Sequence, residues 1–510
     1  MSEWGQEPPV VARVAVIGGG LAGLCVARLL TDSGVSCVVF EAEPRVGGRV
    51  RTHSGAFGAA VAPREGPDVE LGAEWVHGSC VQHPITALVQ QLGLATFEVN
   101  DNSSTCYVER AGKAAAEVPD ELEREYEALL RRAAALGEGK ELSMWDALGK
   151  VAPGKKGVGR DHPVILAQLA GYFEFDTSAP LGELSAAHAE DDRAFVGRDV
   201  LVLPGLASVV AGLVAGQTTV FGGPGSARAL DVRTGARVQR VSLAADGQRV
   251  RLELAGAAEP AVVTDRVVCA VPLGVLKQPG ALAFSPPLPA DKLGAIARLG
   301  FGNVIKVALL FDAPFWPRKT QAFLLARAEG GLPAAEHFSY FINLLPSTGR
   351  PVLQSFALGG AATAQLEQAS PAALWALVRP GLVALFGASA VPLQPRALWN
   401  SQWRSSPSFC GAYSFQSTRS STEDWKALAA PAMGGRLLFA GEHTERDWRG
   451  TMHGAFLSGL RVARDLLDLA GDDARAAVER DLRRFYTRLK SARMVDESGS
   501  DSSESSSDQE

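Results

Sequence analysis

With 510 residues, 46% apolar and 21% charged, the chain is too long for one hydrophobic core and too evenly mixed for a disordered or fibrous protein, so two interleaved globular domains are expected. The net charge of −6 comes from the segment beyond Arg493, where Asp496, Glu497, Asp501, Glu504, Asp508 and Glu510 leave a body of 50 acids against 50 bases. A neutral body carries no electrostatic footprint for nucleic acid, and the six cysteines contain no C-x-x-C pair, which excludes a small disulfide scaffold and favours a reducing compartment.

The opening MSEWGQEPPVVAR lacks the basic-then-apolar pattern of a secretory leader. The Val-rich run Arg13–Ile17 then predicts a buried parallel strand that leads into Gly18, Gly20 and Gly23 at G-x-G-x-x-G spacing. Gly18 allows a tight turn, Gly20 lets a pyrophosphate approach the backbone, and Gly23 lets the following helix, Leu21–Ser33, lie close on the strand. That helix directs its N-terminal amides and positive dipole end at the phosphates. A second strand, Ser36–Phe40, ends at Glu41, about twenty residues after the first glycines, where an acid bonds the ribose hydroxyls of a dinucleotide. Arg45-Val46-Gly47-Gly48-Arg49 follows at once and brings two guanidinium groups toward the same pyrophosphate.

Further along comes Leu71-Gly72-Ala73-Glu74-Trp75-Val76-His77-Gly78, and Glu121–Gly137 has helical period with its charges outside. In Phe173-Glu174-Phe175 an acid is flanked by aromatics and would be costly to bury without a cation. Glu190, Asp191 and Asp192 form a second acidic cluster, read either as a solvated loop or as a site for a distal ammonium. Asp199–Arg228 has no charge between its ends, but Pro204, its glycines and Gln217-Thr218-Thr219 predict a strand, a turn and a short buried helix rather than a membrane span. Gln239–Leu254 and Ala261–Val271 read as strands around an Asp246-Gly247 turn.

Val304–Phe311 is an apolar strand with one charge, Lys306. An ammonium placed there costs several kcal/mol unless compensated, so it requires a remote carboxylate or a function. Trp399, Trp403, Phe409 and Tyr413 cluster in one stretch, and Trp399 is read as core. Arg436–Phe439 is a strand running into Ala440-Gly441-Glu442-His443-Thr444; soon after, Thr451-Met452-His453-Gly454 opens a helix, with His453 expected to bond backbone. Ala470–Met494 reads as a terminal amphipathic helix, and the Ser- and acid-rich residues 496–510 as a solvating tail.

These motifs resemble the flavin-containing amine oxidase family, polyamine oxidases most of all, from Arg13 to about Asp468. The G-G-R element after Glu41, Asn303-Val304-Ile305-Lys306-Val307, A-G-E-H-T and the T-M-H-G-A-F-L-S-G helix start carry the likeness. The resemblance implies an α/β architecture: an FAD-binding, doubly wound domain of the glutathione-reductase type (residues 13–82, 200–290 and 396–470) with an inserted α+β substrate domain (83–199 and 291–395), an extension over 1–12 and a terminal helix over 471–495. It implies FAD rather than NAD, bound non-covalently because Ala412 stands where monoamine oxidases have the attachment cysteine. Cofactor contacts would come from Gly18, Gly20, Gly23, Glu41 and Arg49, from Gly72, Ala73 and Trp75 in what the resemblance implies is a loop at 71–78, and from Val238, Glu442 and Met452. Lys306 would hold a water against flavin N5, while His77, Glu174, Phe175, Trp403, Tyr413 and Thr451 would meet the substrate, Glu174 through an ammonium.

The activity so implied is oxidation of spermine, spermidine or an N-acetyl derivative by hydride transfer to N5, with O2 going to H2O2. The expected partners are the polyamine and O2, with no nucleic acid, membrane or metal, in the cytoplasm with the nucleus as an alternative. A flavin-dependent lysine demethylase shares A-G-E-H-T and H-G-A-F-L-S-G-L but is characterised by an added N-terminal helical domain and a long inserted helical hairpin, for which no heptad pair appears. An L-amino-acid oxidase and a flavin-binding protein without turnover are further alternatives.

Overall fold

The structure is a computed structural model, and it describes residues 8–53, 69–99, 103–110, 113–118, 120–151, 159–188, 193–326, 338–359, 362–492 and 494–496. Two sheets organise it. In the first, of 8 strands, Val10–Ile17 lies parallel to Cys37–Phe40 on one side and to Ala261–Cys269 on the other. Asp231–Arg233 and Leu437–Phe439 extend the parallel part at either end, and Arg237–Leu243 with Val250–Ala255 adds an antiparallel ribbon.

Alternate residues of these strands enter different cores, as the pleat dictates. Val14, Val16, Val39 and Val268 pack under the helices Leu21–Asp32 and Met452–Asp465, whereas Ala15, Ile17, Val38 and Val267 face Ile296, Trp425 and Leu428. With both faces covered, the strands are apolar at nearly every position, which is why Arg13–Ile17 was legible as parallel. Gly23 is where helix meets strand: a Cβ there would lie 2.1 Å from the Gly18 carbonyl oxygen and 2.9 Å from Val16 Cγ1.

The second sheet, of 7 strands, runs Ala397–Asn400, Val304–Leu310, Val352–Leu358, Tyr340–Asn343, Ala322–Ala326, Ser104–Arg110, Lys113–Glu117. Its central strands Val304–Leu310 and Val352–Leu358 are buried at every position. One face packs on the helix Pro371–Phe386; the other, carrying Ala308 and Phe356, turns toward the first domain.

The architecture is thus the expected α/β dinucleotide fold with an inserted α+β part, with local shifts. Ala397–Asn400 belongs to the second sheet, so the boundary placed at 396 falls before that strand. The helices Pro84–Gln91 and Ala290–Arg298, assigned from sequence to the substrate domain, bury Leu88 and Ile296 in the cores of the first. The stretch read as a loop at 71–78 becomes a strand from Trp75 to Ser79, paired with Arg198–Val202. The terminal helix Asp472–Lys490 packs through Leu482, Phe485 and Leu489, and Met494–Asp496 then returns to pair with Arg193–Phe195. Glu190, Asp191, Asp192 and residues 497–510 lie outside the described residues. Among those described, no helix is long and apolar enough to cross a membrane, and Asp199–Arg228 forms the expected strand and short helix.

Candidate active site

A cavity of about 680 Å³ runs from the glycine turn at Gly18 to the face of the second sheet at Lys306 and Tyr340. This lies within the roughly 300–1,000 Å³ usual for cofactor sites. Of the described residues expected to touch cofactor or substrate, all line it except Gly23, which serves helix packing, Arg45 and Glu174.

At one end two glycine turns stack. Gly47 N–H donates to the Gly19 carbonyl at 2.8 Å, and a Cβ on Gly48, whose φ is +58°, would come within 3.2 Å of Gly20 Cα. A methyl added to Gly20 would meet only Gly48 Cα, at 4.0 Å, and so would project into open cavity. Backbone N–H groups are therefore bare here, at the N-terminus of Leu21–Asp32, as a pyrophosphate requires. Glu41 accepts from Gly19 N and Glu43 N, both at 2.7 Å, on separate oxygens, which leaves lone pairs for ribose hydroxyls. Burial pushes its carboxyl above the usual range.

The two arginines of the G-G-R element divide. Arg45 donates to the carbonyls of Val46, Gly48 and Val50 and does not line the cavity; it clamps its own turn instead of facing phosphate, because those carbonyls are otherwise unpaired. Arg49 lines the cavity, donating to Ala412 O at 2.6 Å and Glu442 Oε1 at 2.8 Å. Glu442 is 2% exposed and also accepts from Gly450 N at 2.9 Å. Burial works to raise its pKa, but Arg49, His443 and the Ser414 hydroxyl outweigh it and hold the carboxylate below its ordinary value.

Thr451 is the N-cap of Met452–Asp465. Its hydroxyl accepts from Gly454 N at 2.9 Å and donates to Trp448 O at 2.8 Å, so its proton is committed to backbone, and it lines the cavity as an acceptor. The helix N-terminus beyond it, at Met452, faces the cavity with N–H groups that have no intrahelical partner. His453 does not bond backbone as expected. Its Nδ1 meets Nε2 of His83 at 3.2 Å, while His83 Nδ1 accepts from Ile85 N and Thr86 N and caps the helix Pro84–Gln91. Burial lowers the pKa of both rings, that of His83 to about 3, so they are neutral and structural.

At the other end Lys306 has the remote carboxylate that its burial demanded. Nζ donates to Glu74 Oε2 at 2.6 Å and to Gly72 O at 3.0 Å, and lies 5.3 Å from the centroid of the Trp75 ring. Around it Phe175 packs edge-on to Trp75 at 6.1 Å and Phe356 at 4.8 Å, and Trp403 edge-on to Phe409 at 5.0 Å. Tyr413 donates its hydroxyl to Phe175 O, tying one aromatic wall to the other. Trp399, read from sequence as core, is off the cavity but only half-buried, on the edge strand Ala397–Asn400 against His53. Gly72, Ala73 and Val238 contribute backbone and small side chains, and Ala412 presents no thiol to a cofactor. His77 Nδ1 meets Asp199 Oδ2 at 2.5 Å, and Gly78 N–H donates to Asp199 Oδ1 at 2.9 Å. Burial opposes ionisation of Asp199, but those bonds keep its pKa below the ordinary value.

Glu174 faces the protein, not the cavity. It is 3% exposed; Oε1 accepts from Leu181 N at 3.3 Å, and Oε2 lies against Gly359, where a Cβ would come within 2.5 Å. Burial pushes its carboxyl up to about 7. The segment is helical, so consecutive side chains diverge by about 100°, and Phe175 and Asp176 take the cavity side. Glu74, Asp176 and Asp199, which sequence reasoning passed over, are the carboxylates that line this half among the described residues. Glu74 was visible as the acid of the L-G-A-E-W-V-H-G motif, but nothing local tied it to Lys306.

A doubly wound sheet with its glycine turn, joined to a second sheet that carries a buried lysine across the same cavity, defines a two-domain dinucleotide-dependent oxidoreductase. The chain belongs to the family of flavin containing amine oxidoreductases, whose model matches residues 21–467, and its cofactor is FAD. It is 31% identical to lysine-specific histone demethylase 1 homolog 1 of Arabidopsis thaliana over 91% of this chain and 53% of that protein. It is 30% identical to polyamine oxidase 2 of Arabidopsis thaliana over 89% of this chain and 87% of that one, and 29% identical to polyamine oxidase 4 of Oryza sativa subsp. japonica over 88% and 87%. The chain therefore spans about half the length of the demethylase relative. Among solved structures, a putrescine oxidase double mutant from a structure-based redesign of cofactor binding superposes with a TM-score of 0.66 at 21% identity, over 90% of this chain and 100% of that one, which shows the shared fold.

Proposed function

We propose that this chain is an FAD-dependent polyamine oxidase, acting on spermine, spermidine or an N-acetyl derivative at a secondary amine. The net reaction is R–CH2–NH–R′ + O2 + H2O → R–CHO + R′–NH2 + H2O2. The observation that carries the reading is the buried Lys306 ammonium, set in the wall that the dinucleotide half and the aromatic half of one cavity share. Bound non-covalently, as Ala412 suggests, FAD supplies the hydride acceptor and passes the electrons to O2.

The residues of the chain bind, orient and exclude water. Gly20, Glu41, Arg49 and the helix start at Met452 would hold the pyrophosphate, ribose and negatively charged ring edge. Trp75, Phe175, Tyr340, Trp403 and Tyr413 would line a dry slot that offers π faces to an amine. His77, fixed by Asp199, would face the substrate, and Asp176 and Asp199 place acids along the path of a polycation. The demethylase reading has its own support in the 31% identity to such a relative. Against it, the longest helices among the described residues have 18 and 19 residues, and no long inserted hairpin appears there.

Peroxide release from spermine, spermidine, N-acetylspermine, tyramine and a methylated histone H3 peptide tests the assignment. Turnover of the polyamines well above tyramine and the peptide is expected. Peroxide from the peptide alone would transfer the chain to the demethylase reading, and none from any amine would end the oxidase reading.

A further inference from the structure

Two of the three N–H bonds of Lys306 are used within the protein, on Glu74 Oε2 and Gly72 O. Glu74 is held in turn: its Oε1 accepts from Gln354 Nε2 at 3.1 Å. In the register of the second sheet Gln354 lies opposite Ala308 and Phe356 opposite Lys306, so Gln354 and Lys306 point to one face, the face on which Glu74 sits. Lysine, carboxylate and amide are 5%, 4% and 0% exposed.

The strands flanking Lys306, VLQSFAL and ALWN, bring no charge. Among the described residues Glu70 also faces the pair; its Oε1 accepts from Leu206 N at 2.7 Å and Thr52 Oγ1 at 2.8 Å, and burial pushes its carboxyl up to about 7. The counter-charge of Lys306 is therefore Glu74. Burial by itself drives a lysine toward its neutral form, and a bonded carboxylate reverses that.

We propose that Glu74 is a positioning residue for the oxidative step: it holds Lys306 as a fixed ammonium with its remaining N–H toward the cavity, so that oxygen meets a preset positive charge while it is reduced. This rests on the amine-oxidase reading of the same cavity. Oxygen takes two electrons, which originate in the substrate C–H bond, and two protons on its way to peroxide. Negative charge gathers on oxygen before protonation, and a cation already in place lowers that barrier without reorganising. A lysine without Glu74 would present this charge only while protonated by solvent.

The test uses FAD-loaded protein, reduced anaerobically and mixed with O2 between about pH 6 and 9, beside the visible absorbance of the oxidised flavin over the same range, which involves no turnover. Glu74→Gln keeps the shape and an acceptor for Lys306 but removes the charge. Its reoxidation is expected to stay within about threefold of wild type at the acid end and to fall at least tenfold toward the alkaline end, with a matching absorbance change. Wild type is expected to be flat in both, and Lys306→Met to be slow at every pH.

A Glu74→Gln profile that superimposes on wild type overturns the role of Glu74 while leaving the oxidase reading intact. Wild-type reoxidation in Lys306→Met overturns the role of the lysine and, with it, this proposal. If Glu74→Gln fails to hold FAD, wild type decides: an absorbance break in that range, missing from Lys306→Met, refutes a fixed ammonium, and its absence supports one.

Discussion

Glu174→Gln separates a substrate contact from a buried acid. The wild-type carboxyl ionises at about 7 in the folded protein because burial penalises its charge, against an ordinary value of 4.5. Between those values the unfolded chain has lost the proton and the folded chain retains it, so the unfolded state binds fewer protons and stability falls as pH rises. The fall is complete above the folded value; at 1.36 kcal/mol per pH unit it amounts to about 3 kcal/mol. The group is 3% exposed, so solvent screening reduces this little. Gln carries no such titration, and Glu70, pushed up to about 7 in the same way, cancels because both proteins contain it. The variant should therefore gain on wild type by about 2–3 kcal/mol between pH 5 and pH 8, read as a difference of unfolding midpoints in urea. The KM for spermine should stay near wild type, since the carboxylate lies against Leu181 N and Gly359. Parallel stability profiles would refute the burial argument, and a KM raised for polyamines but not for a monoamine would put Glu174 back at the substrate.

Gly23→Ala places a Cβ 2.1 Å from Gly18 O, so Leu21–Asp32 must lift from its strand; loss of FAD and destabilisation of about 3 kcal/mol or more are expected by flavin retention and thermal unfolding. Arg49→Met leaves Glu442 buried without its cation, which should cost about 3–5 kcal/mol and weaken FAD binding, checked by unfolding at pH 7 and by cofactor titration. Since Glu442 is held below its ordinary 4.5, the stability it contributes is present above that pH and lost as pH falls through the folded value, so the gap between wild type and Arg49→Met should narrow as pH falls below 4.5. Asp199→Asn removes the carboxylate that fixes His77; a shifted acid limb in the pH profile of kcat/KM is expected with FAD retained, and an unchanged profile would show that the pair does not meet substrate.

What the sequence determined by itself was whatever depends on near neighbours. Gly18, Gly20 and Gly23 announced a strand, a bare turn and a close helix because those demands fall within a few residues of one another. The apolar runs Arg13–Ile17 and Val304–Phe311 announced buried strands because a strand covered on both faces is apolar at nearly every position. Thr451 could also have been read this way, as a helix cap three residues before the N–H it accepts from, but the resemblance assigned it to substrate. Lys306 was marked by cost alone: a charge among apolar residues needs an answer, whichever one it has.

The tertiary structure decided which answer. Glu74 lies 232 residues before Lys306, and His83 370 residues before the His453 it contacts, so both pairings depend on how two sheets and a helix N-terminus converge. The inward turn of Glu174 follows from the phase of a short helix against a left-handed Gly359 on a distant strand end, and the different duties of Arg45 and Arg49 from which carbonyls the folded turn left open. Spacing along a chain specifies what each residue offers, whereas the direction in which a side chain faces is set by the layers packed on it, and those are assembled from segments hundreds of residues apart.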